Sequence, residues 1–305
     1  MPGFGHRKDI KKNVMKLFAI NAGYFKLDGG AMFGVVPKSI WSKTNPADEN
    51  NLCKLAMRSI LIEDEGKLIL IDTGMGDKQD AKFFSHYTVP EEDDTLDGSL
   101  AILGYLKEDI TDVVFTHLHF DHCGGAIIRK DGALISAFPN ATFWSNQIHW
   151  QWAINPNARE KASFLKENIL PIEESGKLKY VEVDNPEITK DLLASAPSAI
   201  TKNISYRFAN GHTKAMMLPQ IQYKDRTIVF VADLLATVGH IPLPYVMSYD
   251  MFPLVTLDEK KSFFQEAVDN NYVLFLQHDS VNECCTLQQT EKGVRVNEIF
   301  KLSDI

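Results

Sequence analysis

The chain's pattern predicts an α/β fold of the α+β kind, two packed β-sheets with helices on their outer faces. Three observations carry this. Short apolar runs joined by hairpin turns occur in both halves of the 305 residues, helical patterns lie between them, and no stretch rich in Gly, Pro or Ser divides the chain. With no linker and no short-period repeat, a single domain over residues 1–305 is expected, 1–13 being a basic N-terminal extension with Arg7, Lys8, Lys11 and Lys12.

In the first half, strands are expected over 16–22, 58–63 and 67–72, the last two joined by a turn at Glu63-Asp-Glu-Gly66. A helical pattern over 95–108 places Leu100, Ile102, Leu103 and Leu106 on an apolar face. A short strand over 112–116 runs directly into His117; a strand over 141–145 and helices over 146–154 and 158–169 follow. The second half repeats the order loosely. Strand 204–209 leads into Gly211-His212, and 215–223 pairs with 227–232 across Lys224-Asp-Arg. Helix 257–270 leads to strand 272–276, and 285–300 reads as a hairpin around Lys292-Gly293.

Composition excludes several classes. The chain is 45% hydrophobic and 24% charged, values of a folded protein and not of a disordered one. Its 32 basic against 40 acidic residues leave a net charge of −8, which argues against a nucleic-acid partner. No apolar run approaches the roughly 18 residues of a membrane span, so no membrane partner is expected. The apolar run at 17–20 is too short for a signal-peptide core. The four cysteines form no C-x-x-C pair, and Cys284 and Cys285 are neighbours, which suits a reducing, cytoplasmic location.

The chemistry is concentrated in Thr116-His117-Leu-His119-Phe-Asp121-His122-Cys-Gly124-Gly125, an H-x-H-x-D-H pattern between an apolar strand and a glycine turn. Three imidazoles and a carboxylate within six residues cannot be packed away without stranding polar atoms, and a divalent metal resolves that. Six residues do not build two metal sites. Three distant positions complete the set, each where the chain leaves a strand: His212 in Gly-His-Thr, Asp233 after 227–232, and His278 in Gln-His-Asp.

With these residues the sequence resembles the metallo-β-lactamase superfamily, from the Leu68-Ile-Leu-Ile-Asp72-Thr-Gly74 strand-turn to His278. The resemblance implies a four-layer αββα sandwich with a binuclear centre at one edge. By motif, His117, His119 and His212 would hold one metal, Asp121, His122 and His278 the other, and Asp233 would bridge them. Two zinc ions per chain are implied, with iron, manganese or cobalt as substitutes, and Asp72 would orient ligand imidazoles from behind. Leu27-Asp-Gly-Gly-Ala-Met-Phe-Gly-Val-Val-Pro-Lys-Ser-Ile-Trp41 and Ala232-Asp-Leu-Leu-Ala-Thr-Val-Gly-His-Ile-Pro242, with Met247-Ser-Tyr-Asp250, resemble the quorum-quenching N-acyl homoserine lactonases.

That resemblance implies opening of a lactone ring by metal-bound hydroxide, in a homodimer; the alternative is an organophosphate or aryl ester hydrolase of the methyl parathion hydrolase type. Some lactonases carry a Tyr three residues after the bridging Asp, where this chain has Ala236. Proton donation is therefore expected from Asp121 or His240, with Asp233 also catalytic, and Met32 and Phe33 are expected to line the acyl pocket. His6, His86 and His149 have no ligand-like context, and Trp144, Trp150 and Trp152 read as packing residues.

Overall fold

The computed structural model describes residues 14–87, 94–182 and 196–305; the basic segment 1–13 lies outside them. In chain order the elements are β1 (Lys16–Asp28), α1 (Gly29–Phe33), α2 (Lys38–Trp41), β2 (Leu52–Asp64), β3 (Lys67–Ile71), α3 (Ala81–Ser85), α4 (Leu96–Leu103), β4 (Asp112–Val114) and α5 (Phe120–Cys123). Then come β5 (Ile127–Lys130), β6 (Ala133–Ser136), β7 (Thr142–Asn146), α6 (Gln147–Ile154), α7 (Lys166–Glu174), β8 (Leu178–Val181) and β9 (Ala196–Pro197). The chain closes with β10 (Ile204–Ala209), β11 (Met216–Tyr223), β12 (Arg226–Phe230), α8 (Pro253–Asp269), β13 (Val273–Phe275), β14 (Cys284–Thr290) and β15 (Gly293–Phe300).

Among the described residues one sheet has the order β1-β2-β3-β4-β7-β8 and the other β15-β14-β13-β12-β11-β10-β9. Alternation along the strands decides which side chain meets which layer. Ile60, Ile62, Ile69, Ile71 and Val114 point inward, against Phe208, Leu218 and Phe230 of the second sheet. Their sequence neighbours Leu61, Leu68, Leu70 and Val113 point outward, under Leu96 and Leu100 of α4, Trp150 of α6 and Ile169 and Ile172 of α7. On the other side Phe263, Phe264 and Ala267 of α8 cover the second sheet. The result is the expected helix–sheet–sheet–helix layering. The β2–β3 turn is tight, with Glu65 and Gly66 both at positive φ (49° and 79°), as a two-residue hairpin requires.

Three expected helices differ in extent. The one placed over 95–108 ends at Leu103, because Gly104 adopts φ 76° and closes it. The one placed over 158–169 starts only at Lys166: the Asn157 side chain accepts from the Arg159 and Glu160 amides and holds that stretch in a turn. Helix α8 begins four residues earlier than its apolar pattern indicates, with Pro253 in its first turn. The short α1, α2 and α3, the β5–β6 hairpin and the edge strands β8 and β9 lack the length that periodicity needs.

His149 is a packing residue, but it joins two loops. Its Nε2 accepts from the Leu118 amide at 2.9 Å and its Nδ1 donates to Lys214 O at 2.7 Å, so the 117–122 stretch and the 210–215 stretch share one buried imidazole. Burial pushes it down from 6.5 to about 4. The unfolded chain takes a proton as the pH falls below 6.5 while the folded chain resists until about 4, so stability present above 6.5 is lost across that window. The gap is worth roughly 3 kcal/mol. In urea titrations of metal-free protein, His149→Gln is expected to be less stable at pH 7 and to lose less between pH 7 and pH 4 than the parent. A fall equal to the parent's contradicts this role.

Candidate metal centre

Five strand ends converge at one rim of the sandwich. Asp72 follows β3, His117 follows β4 by a few residues, His212 follows β10, Asp233 follows β12 and His278 follows β13. The loop from His117 to Gly125 seats on the chain after β3 by direct backbone contact. A Cβ on Gly124 would stand 2.1 Å from Met75 O, and one on Gly125 2.2 Å from Thr73 O, so neither position admits a side chain. The turn carrying His278 is held to the first sheet: Arg58 of β2 donates through Nη1 to Leu276 O, Asp279 O and Asn282 O at 2.7, 2.8 and 3.2 Å.

All seven expected ligands come together and all are buried. His117, His119 and His212 form one group; His117, His122 and Asp233 form a second; Asp121, His122 and His278 form a third, the donor atoms of each lying within 4.8 Å of one another. His117 Nε2 and His212 Nε2 approach His119 Nδ1 at 3.1 and 3.2 Å, and His278 Nε2 approaches His122 Nε2 at 3.2 Å. Asp233 spans the two halves. Its Oδ2 is 3.2 Å from His212 Nε2, and its Oδ1 is 3.0 Å from His278 Nε2 and 3.6 Å from His122 Nε2.

These contacts are not hydrogen bonds, because the ring protons are engaged elsewhere. His119 Nε2 donates to Glu160 Oε1 (3.1 Å), His122 Nδ1 to Asp72 Oδ2 (3.0 Å), His212 Nδ1 to Asp250 Oδ1 (2.9 Å) and His278 Nδ1 to Ala56 O (2.7 Å). The Thr116 hydroxyl donates to Asp72 at 2.7 Å, leaving its oxygen to accept from His117 Nδ1 at 3.1 Å. In the neutral rings each inward nitrogen therefore presents a lone pair, and Asp233 Oδ1 is buried without a hydrogen-bond partner. Ligand atoms around a tetrahedral zinc stand about 3.3–3.5 Å apart, so lone pairs meeting at this spacing fit divalent ions.

The electrostatics agree. Burial opposes charge on His122, yet the Asp121, Asp233 and Asp72 carboxylates outweigh it and raise this imidazole well above its ordinary value. Burial would raise Asp233, but His278, His122 and His212 hold it well below the carboxylate range. His117 is pushed well down, first by burial and then by the neighbouring His122 and His119. The cluster calls for positive charge at its centre.

Asp72 stands where the resemblance implied. It sits at φ 59°, a costly conformation for a non-glycine residue, and its carboxylate accepts from Thr116 N, Thr116 Oγ1, His122 Nδ1 and Gln277 Nε2 at 2.7–3.0 Å. Glu160 and Asp250 perform the same service for His119 and His212, and sequence reasoning missed Glu160 altogether. Glu160 also accepts from Trp152 Nε1 and Asn157 Nδ2 (2.7 and 3.0 Å) and is held down to about 2, its own burial outweighed by the hydrogen bond and charge of His119 together with the bonds from Thr213 and Trp152. Its one signal was an acidic residue three positions after an Asn, a pattern too common to single out.

A cavity of about 470 Å³ opens directly on the ligands His119, Asp121, His212, Asp233 and His278. Leu27, Met32, Leu55, Phe120, Met247 and Met251 give it apolar surface, and Tyr87, Arg159, Ser163, Ser248 and Tyr249 give it polar groups. Met32 is on this wall, as expected. Phe33 is not: it is buried behind, stacked on Trp41 at 5.2 Å and on His240 at 4.4 Å. His240 is corrected as a proton donor for the same reason. It is buried, with Nε2 donating to Met32 O at 2.9 Å and Nδ1 occupied by Thr237 Oγ1 at 2.9 Å, and burial lowers it to about 4. Asp121, the other expected donor, faces His122 and His278 at 3.6 and 3.7 Å, within the ligand set.

Residues 58–131 match the model of the metallo-beta-lactamase superfamily. The chain is 30% identical over 167 residues to an N-acyl homoserine lactonase of Bacillus cereus, a match covering 52% of this chain and 57% of that protein, so the chain spans little more than half the length of the curated relatives it matches. A probable metal-dependent hydrolase from Staphylococcus aureus superposes with a TM-score of 0.81 at 27% identity, over 95% of this chain and 98% of the other. AidC, described as a dizinc quorum-quenching lactonase in complex with a product, superposes with a TM-score of 0.73 at 23% identity, over 96% and 97%, and speaks for the fold. The segment that matches the metallo-beta-lactamase superfamily, residues 58–131, carries four of the seven clustered residues, and the four-layer fold around it is similar to that of the superposed hydrolases.

Proposed function

We propose that the protein is a dinuclear metal hydrolase that opens the lactone ring of N-acyl homoserine lactones. The observation that carries this is a largely apolar cavity opening directly onto a seven-ligand cluster, and the Bacillus lactonase relatives support the choice of substrate. His117 Nε2, His119 Nδ1 and His212 Nε2 would hold one ion, and Asp121, His122 Nε2 and His278 Nε2 the other, with Asp233 shared through its two oxygens. Zinc suits this set of imidazole and carboxylate donors. Two ions so held supply Lewis acidity toward a carbonyl oxygen and lower the pKa of a water molecule.

The protein's own groups do the rest. Asp72, Glu160 and Asp250 fix the imidazoles in the tautomers that turn their lone pairs inward. Burial pushes the Tyr87 and Tyr249 hydroxyls up to about 12, so both stay protonated at neutral pH and can donate to a substrate oxygen. Tyr249, which shares the cavity lining with Asp233 and His278, would serve in place of the tyrosine absent after Asp233. Met32, Met247 and Met251 offer flexible apolar surface to an acyl chain and exclude water beside the ligands. No helix of the described residues is long and apolar enough to cross a membrane.

Ring opening followed by pH-stat, side by side with hydrolysis of a phosphotriester, tests the assignment. N-hexanoyl homoserine lactone is expected to be turned over with a kcat/KM about 100-fold or more above that of paraoxon. Phosphotriester turnover as fast as lactone opening, or no acid release from any lactone, removes the lactonase reading.

The orienting carboxylates give a separate test. Glu160→Gln and Asp250→Asn keep size and remove charge, and each is expected to weaken metal binding about 10–100-fold in chelator competition. Unchanged affinity in both would mean that the imidazoles are positioned by other contacts.

A further inference from the structure

Two consecutive buried residues of α8, Glu259 and Lys260, are charged, which a helix covering a sheet does not need. Consecutive helical positions point about 100° apart, and these two reach different loops. Glu259 accepts from the Asn210 and Gly211 amides at 2.6 and 3.1 Å, immediately before the ligand His212. Lys260 Nζ donates to His240 O (2.6 Å), Tyr245 O (2.8 Å), Pro242 O and Leu243 O (both 3.3 Å). Among the described residues no carboxylate lies within ion-pair distance of it.

The loop gathered in this way reaches the cavity along two routes. Through His240 it holds the N-terminal segment, since the imidazole donates to Met32 O and stacks on Phe33. Through Tyr245 it continues into Met247, Ser248 and Tyr249 on the cavity wall, where the Ser248 amide donates to Ala31 O at 2.8 Å. Both segments that resemble the lactonases are thus tied to one ammonium. We propose that Lys260 is a positioning residue for substrate: by gathering four loop carbonyls it fixes Met32, Met247 and Tyr249 over the metal ligands and so sets how the part of the substrate beyond the scissile ester is held. The choice of acyl chain as that part rests on the lactonase reading; the fixing of the loop does not.

The experiment has two arms. In the first, Lys260→Met and Lys260→Arg are compared with the parent on homoserine lactones from butanoyl to dodecanoyl. Lys260→Met is expected to raise KM for the dodecanoyl substrate about 10-fold while kcat changes less than about 3-fold, with a penalty that shrinks as the chain shortens, and Lys260→Arg is expected to recover part of it. A KM profile like the parent's, or a kcat loss equal at every chain length, overturns the proposal.

In the second arm, amide hydrogen exchange is expected to quicken over residues 240–250 in Lys260→Met and to stay slow in β10 and β11. Unchanged exchange over 240–250 overturns the proposal whatever the substrate. If the parent opens no lactone, the lactonase reading fails and the exchange arm alone decides Lys260. Should Lys260→Met not fold, Lys260→Gln replaces it, and the parent's own His240 and Ile241 amides must exchange slowly; rapid exchange there is equally fatal.

Discussion

Nitrogen lone pairs turned toward each other at 3.1–3.2 Å inside a protein repel, and much of this molecule is arranged to hold them there. Unpaired buried acceptors are costly, and a carboxylate oxygen such as Asp233 Oδ1 more so, unless a cation lies between them. The surrounding bonds remove one easy escape, which is rotation of the rings. Each outer ring nitrogen already donates to an acceptor: Thr116, Glu160, Asp72, Asp250 or the Ala56 carbonyl.

The sandwich supplies the rigidity this needs. The ligands leave the ends of strands belonging to both sheets, and the sheets are locked together next to them, where Arg58 and the pairing of Ala56 and Arg58 with Gln277 and His278 bind β2 to the turn after β13. Asp72 tolerates a left-handed backbone because four donors converge on its side chain, so strain at one residue is offset by order at several. On the opposite layer, α8 uses a carboxylate and an ammonium to hold one loop behind the ligand His212 and another behind the cavity wall. The His/Asp cluster and the cavity beside it thus share their supports.

Much of this was legible in the sequence, and the parts that were not share a physical reason. The H-x-H-x-D-H run is dense enough to be read locally, and His212, Asp233 and His278 could be found because each ends an apolar strand. Glu160, Lys260 and the fate of His240 depend on long-range contacts that leave no local trace. A histidine in a Gly-His-Ile-Pro loop looks exposed, and only the packing of Phe33, Thr237 and Met32 around it shows that it is a buried brace. Likewise Phe33 and Met32 are neighbours in the chain, yet only one can face the cavity when the short α1 turns them apart.

The central claim is that these lone pairs meet around two ions. Anomalous X-ray scattering from crystals of protein purified without chelator, recorded at the absorption edge of whichever metal a fluorescence scan detects, addresses it most directly. The account predicts two peaks per chain, about 3.5–4 Å apart, with Asp233 between them. A single peak in metal-replete crystals, or metal bound away from His117, His122 and Asp233, would contradict it.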